Sequence, residues 1–345
     1  MRENGKIILQ KYTILGNLCY NRATFISIKK LQRQGVCTMF KVFIDGQEGT
    51  TGLRLAERLA RRSDIKLLSI DSALRKNTQA RLEKISQADV AFLCLPDAAS
   101  KEIVEAAKDC PTKIIDTSTA FRCSDGWAYG FPELGHAYAS AVANSSRIAN
   151  PGCHATGSIA VLAPLVAAGL IPADGLYTLT SLTGYSGGGK KMIAEYENLH
   201  DPELDAPRLY GLNQKHKHLP EIAKYAKLTT APIFLPIVAP YYSGMLVTAG
   251  FANTQGLPLA ALRKLFADFY GKQPFIQVQT SEELPKMLGS NNLAGKDSLK
   301  IYIAGNEERF TVSAQFDNLG KGASGAAIEN MNIALGLAPE EGLDL

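Results

Sequence analysis

The sequence contains no cysteine pair spaced C-x-x-C, and no stretch approaches the roughly 18 consecutive apolar residues that a membrane span requires. It also has no sustained apolar core of the kind a secretory signal needs. These absences argue against a paired-cysteine metal module, a membrane protein and a secreted disulfide scaffold. The six cysteines (Cys19, Cys37, Cys94, Cys110, Cys123, Cys153) therefore read as reduced thiols of a cytoplasmic protein, of which one or two are chemically special. What is present is an ordinary globular composition, with 46% hydrophobic and 20% charged residues in 345. That length suits two domains better than one core.

Charge is unevenly placed. Residues 1–38 hold seven basic side chains and one acid, a net of +6, so the chain's +4 leaves −2 on residues 39–345. The main body is thus near neutral, which excludes nucleic-acid binding through a broad basic surface. Residues 1–38 lack clean periodicity and read as a dispensable extension or a non-native upstream start. A targeting segment is the alternative.

From residue 40 onward strands alternate with helices. Phe40–Asp45, Ile65–Ile70, Val90–Leu95 and Lys113–Asp116 are short apolar runs that read as buried parallel strands. Helices are expected over Leu53–Arg62, with Leu53, Ala56, Leu59 and Ala60 on one face, and over Ala98–Lys108. Repeated βαβ units imply a parallel sheet covered on both faces. The first strand-to-helix turn is Gly46-Gln47-Glu48-Gly49-Thr50-Thr51-Gly52. Its glycines let the backbone approach a pyrophosphate, and the following helix dipole favours the anion. Asp71 would suit the ribose of NAD, whereas Arg75 and Lys76 would suit the 2′-phosphate of NADP. The residues themselves leave that choice open.

Asn150-Pro151-Gly152-Cys153 precedes an apolar segment, Ser158–Ala168, suited to a buried helix. Pro151-Gly152 makes a sharp turn and puts Cys153 at or near the helix N-terminus. Amides and dipole there stabilise a thiolate and can hold an oxyanion. Cys153 is accordingly the expected nucleophile. His216 and His218 lie in Lys215-His216-Lys217-His218-Leu219-Pro220-Glu221. No neighbouring ligand set completes a metal site, so a thiol–imidazole–carboxylate arrangement with Glu221 is expected instead. Arg122 follows the fourth strand's end, where doubly wound folds bind ligands, and suits a phosphate or carboxylate. Two further glycine-rich runs stand out. Gly184–Lys191, which includes Ser186, Gly187 and Lys190, could bind an anionic substrate or be a mobile loop. Asn318–Ala327, which includes Gly322, Ala323 and Ser324, opens what reads as a C-terminal helix through Asn332.

With Asp45–Gly52, Tyr129–Leu134, Asn150–Cys153, His216–Glu221 and Gly320–Ala326 in that order, the chain over residues 39–345 resembles the shorter form of N-acetyl-γ-glutamyl-phosphate reductases. The resemblance implies the α/β fold shared with aspartate-semialdehyde and glyceraldehyde-3-phosphate dehydrogenases. It has a Rossmann-type dinucleotide-binding domain (39–153 plus 321–345) and an α+β catalytic and dimerisation domain with a mixed sheet (154–320). It further implies NADP, a small acyl-phosphate substrate, a place in arginine biosynthesis, and a homo-oligomer (dimer or tetramer). Cys153 would form a thioester with loss of phosphate, followed by hydride delivery from NADPH. One of His216 and His218 would be the acid/base, with His216 favoured because Glu221 lies five residues on. Arg122 would hold the phosphate, and Asn150, Ser186, Gly187 and Lys190 would contact substrate. His154-Ala155 departs from the family, which more often has an aromatic residue after the nucleophile, and Asp71 sits awkwardly beside a 2′-phosphate. A related reductase such as aspartate-semialdehyde dehydrogenase is the nearest rival. A silent dinucleotide sensor and a cysteine hydrolase are rivals from other classes.

Overall fold

The computed structural model describes residues 39–199 and 201–345; the extension 1–38 and His200 lie outside the described residues. Short apolar runs separated by turns build one parallel sheet. Its strands are β1 (Phe40–Asp45), β2 (Ile65–Leu68), β3 (Val90–Leu93), β4 (Lys113–Asp116), β5 (Ala128–Tyr129) and β6 (Arg147–Ala149), in the order β2-β1-β3-β4-β6-β5. Every neighbouring pair is parallel. Helices α1 (Thr50–Leu59), α2 (Thr78–Gln87), α3 (Asp97–Ala106) and α4 (His136–Asn144) connect them.

The first helix starts three residues earlier than its apolar spacing suggested. It buries Gly52, Leu55, Ala56 and Leu59, while Leu53 is 46% exposed. The helix begins at Thr50 because Gly49 is already extended and caps it, and that rotates the buried stripe by one position. Helix α2 has only a thin apolar stripe, buried Ile85 with Leu82 beside it, and two polar contacts add to its hold. Asn77 accepts a hydrogen bond from the Ala80 amide at 2.9 Å, an N-cap. Arg81 donates to Asp45 at 2.7 Å inside the core.

A second, mixed sheet follows helix α5 (Cys153–Ala167). It comprises β7 (Thr178–Gly184), β8 (Arg208–Leu209), β9 (Ile233–Ala239), β10 (Met245–Ala252), β11 (Ile276–Val278), β12 (Leu299–Gly305) and β13 (Arg309–Phe316). Their order is β11-β12-β13-β10-β7-β9-β8, with β7–β9 and β11–β12 parallel and the rest antiparallel. Helix α6 (Gly189–Asn198) leads towards β8. Helices α7 (Leu219–Ala226) and α8 (Leu259–Tyr270) pack with α5 against one face of this sheet, through residues such as Ile159, Leu162, Ile222, Phe266, Val247 and Phe316.

After β13 the chain makes one π-helical turn, Gly320–Ser324, before α9 (Gly325–Ala334). Ala327, Ile328 and Met331 of α9 return to the core of the first sheet. Among the described residues no helix is long and apolar enough to cross a membrane.

A buried charge cluster ties these parts together. Lys321, 1% exposed, donates to both Glu133 and Glu329, and its ammonium lies 4.8 Å from the Phe275 ring centroid. Burial alone would discharge this lysine, but the two carboxylates hold it charged. Burial and then repulsion from Glu133 push Glu329 well up, so the pair of carboxyls keeps a proton. Lys321→Met should therefore cost about 3–5 kcal/mol, because it strands the acids in a dry core. Glu329→Gln, which mimics a protonated carboxyl, should cost no more than about 1 kcal/mol. Urea midpoints of the two variants check this, and equal losses would contradict the shared proton.

Candidate active site

Strand β1 delivers the chain to Gly46, whose φ of +80° turns it sharply towards α1. A side chain at Gly46 would strike the Cys94 carbonyl, and one at Gly52 would strike the Gly46 carbonyl. Both glycines are thus needed for the helix to start directly over the strand end. The Gly49 amide donates back to Gly46 O at 3.0 Å, which leaves the first amides of α1 at the loop mouth. Thr50 Oγ1 is buried there without a partner, a donor suited to a phosphate oxygen.

At the rim Arg75 pairs with Glu48, and Lys76 is exposed. Asp71 folds its carboxylate back onto the Ala73 amide at 2.8 Å. The acid that weighed against a 2′-phosphate is thus held in its own turn.

Cys153 is the first residue of α5, capped by extended Gly152, and is half-buried. The turn before it is held by Glu221, 1% exposed. Glu221 accepts from the Gly152 amide at 2.9 Å, the Tyr129 hydroxyl at 2.7 Å and Arg122 Nη1 at 3.1 Å. Those bonds occupy the carboxylate, so it orients neither His216 nor His218, contrary to the expectation from spacing. Arg122 is likewise committed. It donates from Nε to Asn150 O and from Nη2 to Thr117 O, both at 2.9 Å, which makes it part of the scaffold and not a free phosphate fork.

A side chain on Gly152 would collide with the Arg122 guanidinium and the His218 ring, with His218 Cε1 at 2.7 Å. His218 therefore lies directly over the turn that carries Cys153, and its Nδ1 is buried without a partner. His216 stands behind it and accepts the His218 amide at Nδ1, 3.2 Å away. The two rings are 4.8 Å apart, and His154 lies 5.7 Å from His218. Among the described residues no group of three or more His, Cys, Asp or Glu could hold a metal ion.

Electrostatics correct a second expectation. Burial pushes the Cys153 thiol up, although Arg122 and the His154 amide pull it down. The helix N-terminus thus fails to win against desolvation before ligands bind. Burial and then Arg122 hold His218 well below the usual range, and burial and then Lys217 lower His216 to about 4, so both rings are neutral at pH 7.

The opposite wall is the π-turn. A Cβ on Gly322 would lie 2.9 Å from Cys153 Cβ, so only glycine lets this turn close on Cys153. Asn150 Nδ2 donates to Ala323 O at 3.1 Å, and Asn330 donates to Asn150 Oδ1 at 3.0 Å. Ser324 spends its hydroxyl on Leu319 O at 2.6 Å and is internal. Ser186 accepts from Asn318 at 3.0 Å and is buried, whereas Gly187 and Lys190 are exposed. A Cβ on Gly189 would lie 4.0 Å from Thr50 Oγ1, which brings the glycine-rich run, here a 3-10 turn at Tyr185–Gly188 and the first turn of α6, to the start of α1. Sequence reading passed over Tyr129, Asn318 and Asn330 as individual site residues. Tyr129 and Asn318 carried a signal only as the first residues of the Tyr129–Leu134 and Asn318–Ala327 runs, and Asn330 carried none of its own.

Known proteins match this arrangement along its length. The NAD binding domain of semialdehyde dehydrogenases matches residues 41–141, and their dimerisation domain matches residues 153–318. The N-acetyl-gamma-glutamyl-phosphate reductase of Brucella anthropi is 45% identical over 306 residues, covering 86% of this chain and 98% of that protein. The enzyme of the same name from Brucella ovis is 44% identical over 306 residues, covering 86% and 99%. The chain belongs to the N-acetyl-gamma-glutamyl-phosphate reductase family.

Members of this family share their fold with aspartate semialdehyde dehydrogenases. The type II enzyme of Vibrio cholerae superposes with a TM-score of 0.64 at 16% identity, over 86% of this chain and 98% of that one. The Candida albicans enzyme, solved with NADP, gives 0.60 at 15% identity, over 86% and 98%.

Two measurements probe the site. Only the thiolate is alkylated, and its pKa is raised. The rate of Cys153 alkylation by iodoacetamide in the free protein should therefore still climb as pH passes about 9, the ordinary thiol range. A plateau near neutrality would contradict the dominance of burial. Gly52→Ala should separate α1 from Gly46 and weaken dinucleotide binding at least roughly tenfold, about 1.4 kcal/mol, by fluorescence titration.

Proposed function

We propose that this chain is the NADPH-dependent reductase that converts N-acetyl-gamma-glutamyl phosphate into N-acetylglutamate semialdehyde and phosphate, a step of arginine biosynthesis. The observation that carries it is Cys153 at the start of α5, set between the π-turn at Gly322 and the ring of His218. The Gly46–Gly52 loop, with the free amides of α1 and the orphaned Thr50 hydroxyl, suits the pyrophosphate of the cofactor. Arg75 and Lys76 supply positive charge at the rim for a 2′-phosphate. When bound there, NADPH supplies the hydride.

His218, neutral and beside Gly152, takes the thiol proton, and the Arg122 charge supports the resulting thiolate. The thiolate attacks the acyl carbon and phosphate leaves, forming a thioester on Cys153. The α5 amides hold the oxyanion at each tetrahedral stage. After reduction the thiohemiacetal collapses to the aldehyde and the thiolate recovers its proton. His218 takes this role ahead of His216, because His216 spends Nδ1 on the His218 amide and lies one step behind. The substrate contacts assigned to Asn150, Ser186, Gly187 and Lys190 remain part of the proposal, with Asn150 and Ser186 shaping the pocket through their buried bonds.

Residues 39–153 and 321–345 form the cofactor unit in this reading, and 154–320 the catalytic and dimerisation unit. The half-buried Leu182, Ile237 and Leu246 on the face of the mixed sheet away from α5 suit a homo-oligomer contact. The near-neutral charge of residues 39–345 gives nucleic acid no basic surface, and a cytoplasmic location suits such an enzyme.

The test is phosphate-dependent NADP reduction with N-acetylglutamate semialdehyde. Wild type should turn over, and Cys153→Ser should lose on the order of a thousandfold or more in kcat while still binding NADP. Activity on aspartate semialdehyde alone would favour the related dehydrogenase.

A further inference from the structure

His154, directly after the nucleophile, is buried and hydrogen-bonded at both ring nitrogens. Nδ1 lies 2.7 Å from Ser181 Oγ on β7, and Nε2 lies 2.7 Å from Tyr210 Oη, just past β8. Burial, with His216 adding to it, lowers His154 to about 3, so the ring is neutral and carries one N–H proton.

Ser181 decides where that proton sits. Its hydroxyl is 0% exposed, and His154 is its only side-chain hydrogen-bond partner among the described residues. A buried hydroxyl with no acceptor would cost about 1–3 kcal/mol, so Ser181 donates to Nδ1. The imidazole proton then lies on Nε2 and donates to the Tyr210 oxygen. Tyr210's own O–H is left with no acceptor among the described residues. Tyr210 is half-buried, and its ring lies 6.1 Å from that of His154, which follows Cys153 directly, and 6.0 Å from that of His216, so the phenol stands beside the residues that flank the thiol. No hydrogen bond joins the phenol to the thiol, so the free O–H is available to an atom that the substrate brings.

We propose that the chain Ser181–His154–Tyr210 aims the Tyr210 hydroxyl as a hydrogen-bond donor at an anionic oxygen of the substrate held at Cys153, on the acyl phosphate or its covalent adduct. This rests on the reductase reading above. Tyr210 is then a catalytic residue, and His154 and Ser181 are positioning residues. The imidazole at position 154 sets the direction of the bond. An aliphatic or phenyl side chain at 154 could not do so.

Two measurements decide it. Without substrate, ¹⁵N shifts of labelled histidine in the wild-type protein should show His154 as the Nε2–H tautomer, unchanged between about pH 6 and pH 8. An Nδ1–H tautomer would reverse the chain, spend the Tyr210 proton on Nε2 and overturn the proposal. In the phosphorolytic assay, Tyr210→Phe should lower kcat/KM for phosphate roughly tenfold or more while KM for NADP stays within about twofold. Ser181→Ala should cost roughly threefold or more in wild type and nothing further on the Tyr210→Phe background, because both act through one proton. Full activity of Tyr210→Phe, or additive losses, would sink the idea. A wild-type protein inactive on every acyl substrate would count against the reductase reading instead, and the tautomer would still decide the chain.

Discussion

The site depends on one carboxylate. Glu221 reaches from the first turn of α7 and accepts three hydrogen bonds, from the Gly152 amide, the Tyr129 hydroxyl and Arg122. Each donor comes from a different stretch of chain, and together they fix the turn that puts Cys153 at the head of α5. Such a buried acid is stable only because every lone pair that matters is used and a guanidinium balances its charge. Its commitment also explains why no carboxylate is left to charge either histidine.

Neutral histidines and a raised thiol make the resting site a poor place for an ion pair. Burial is the largest cause for Cys153, His154, His216 and His218 alike. The groups that favour the thiolate, Arg122 and the His154 amide, are present but outweighed. Burial of this kind keeps the Cys153 thiol protonated in the free protein. It also strengthens each hydrogen bond to a charge that develops there. The π-turn adds the geometric half of this arrangement, since Gly322 lets the C-terminal segment close on Cys153 while Lys321 anchors it between two acids.

Much of the first sheet was legible in sequence, because buried parallel strands are short apolar runs and β1, β4 and the Gly46–Gly52 turn announce themselves. Helix α2 was not, for only Leu82 and Ile85 pack on the core, and the rest of its hold is a cap and a buried Arg81–Asp45 pair, which leave no apolar period. Strands β5 and β6 are two and three residues long, too short for a pattern to show. The face of α1 shifted by one position because the helix start is set by the glycine turn, not by the apolar residues that follow.

The sequence by itself determined the placement of Cys153 at a helix start, the glycine turn after β1 and the order of the motifs, since each rests on local backbone chemistry: a Pro-Gly turn, positive φ at Gly46, a helix start. Tertiary structure alone decided which partners those groups meet. Glu221 lies 69 residues from Gly152 and 92 from Tyr129, and Tyr210 lies 56 from His154. Contacts at such separations leave no periodic trace, and the direction of a shared proton depends on what else is buried beside it. Spacing therefore suggested a Glu221–His216 pair, while packing gave Glu221 to the backbone, set His218 above the thiol, and turned His154 towards Ser181 and Tyr210.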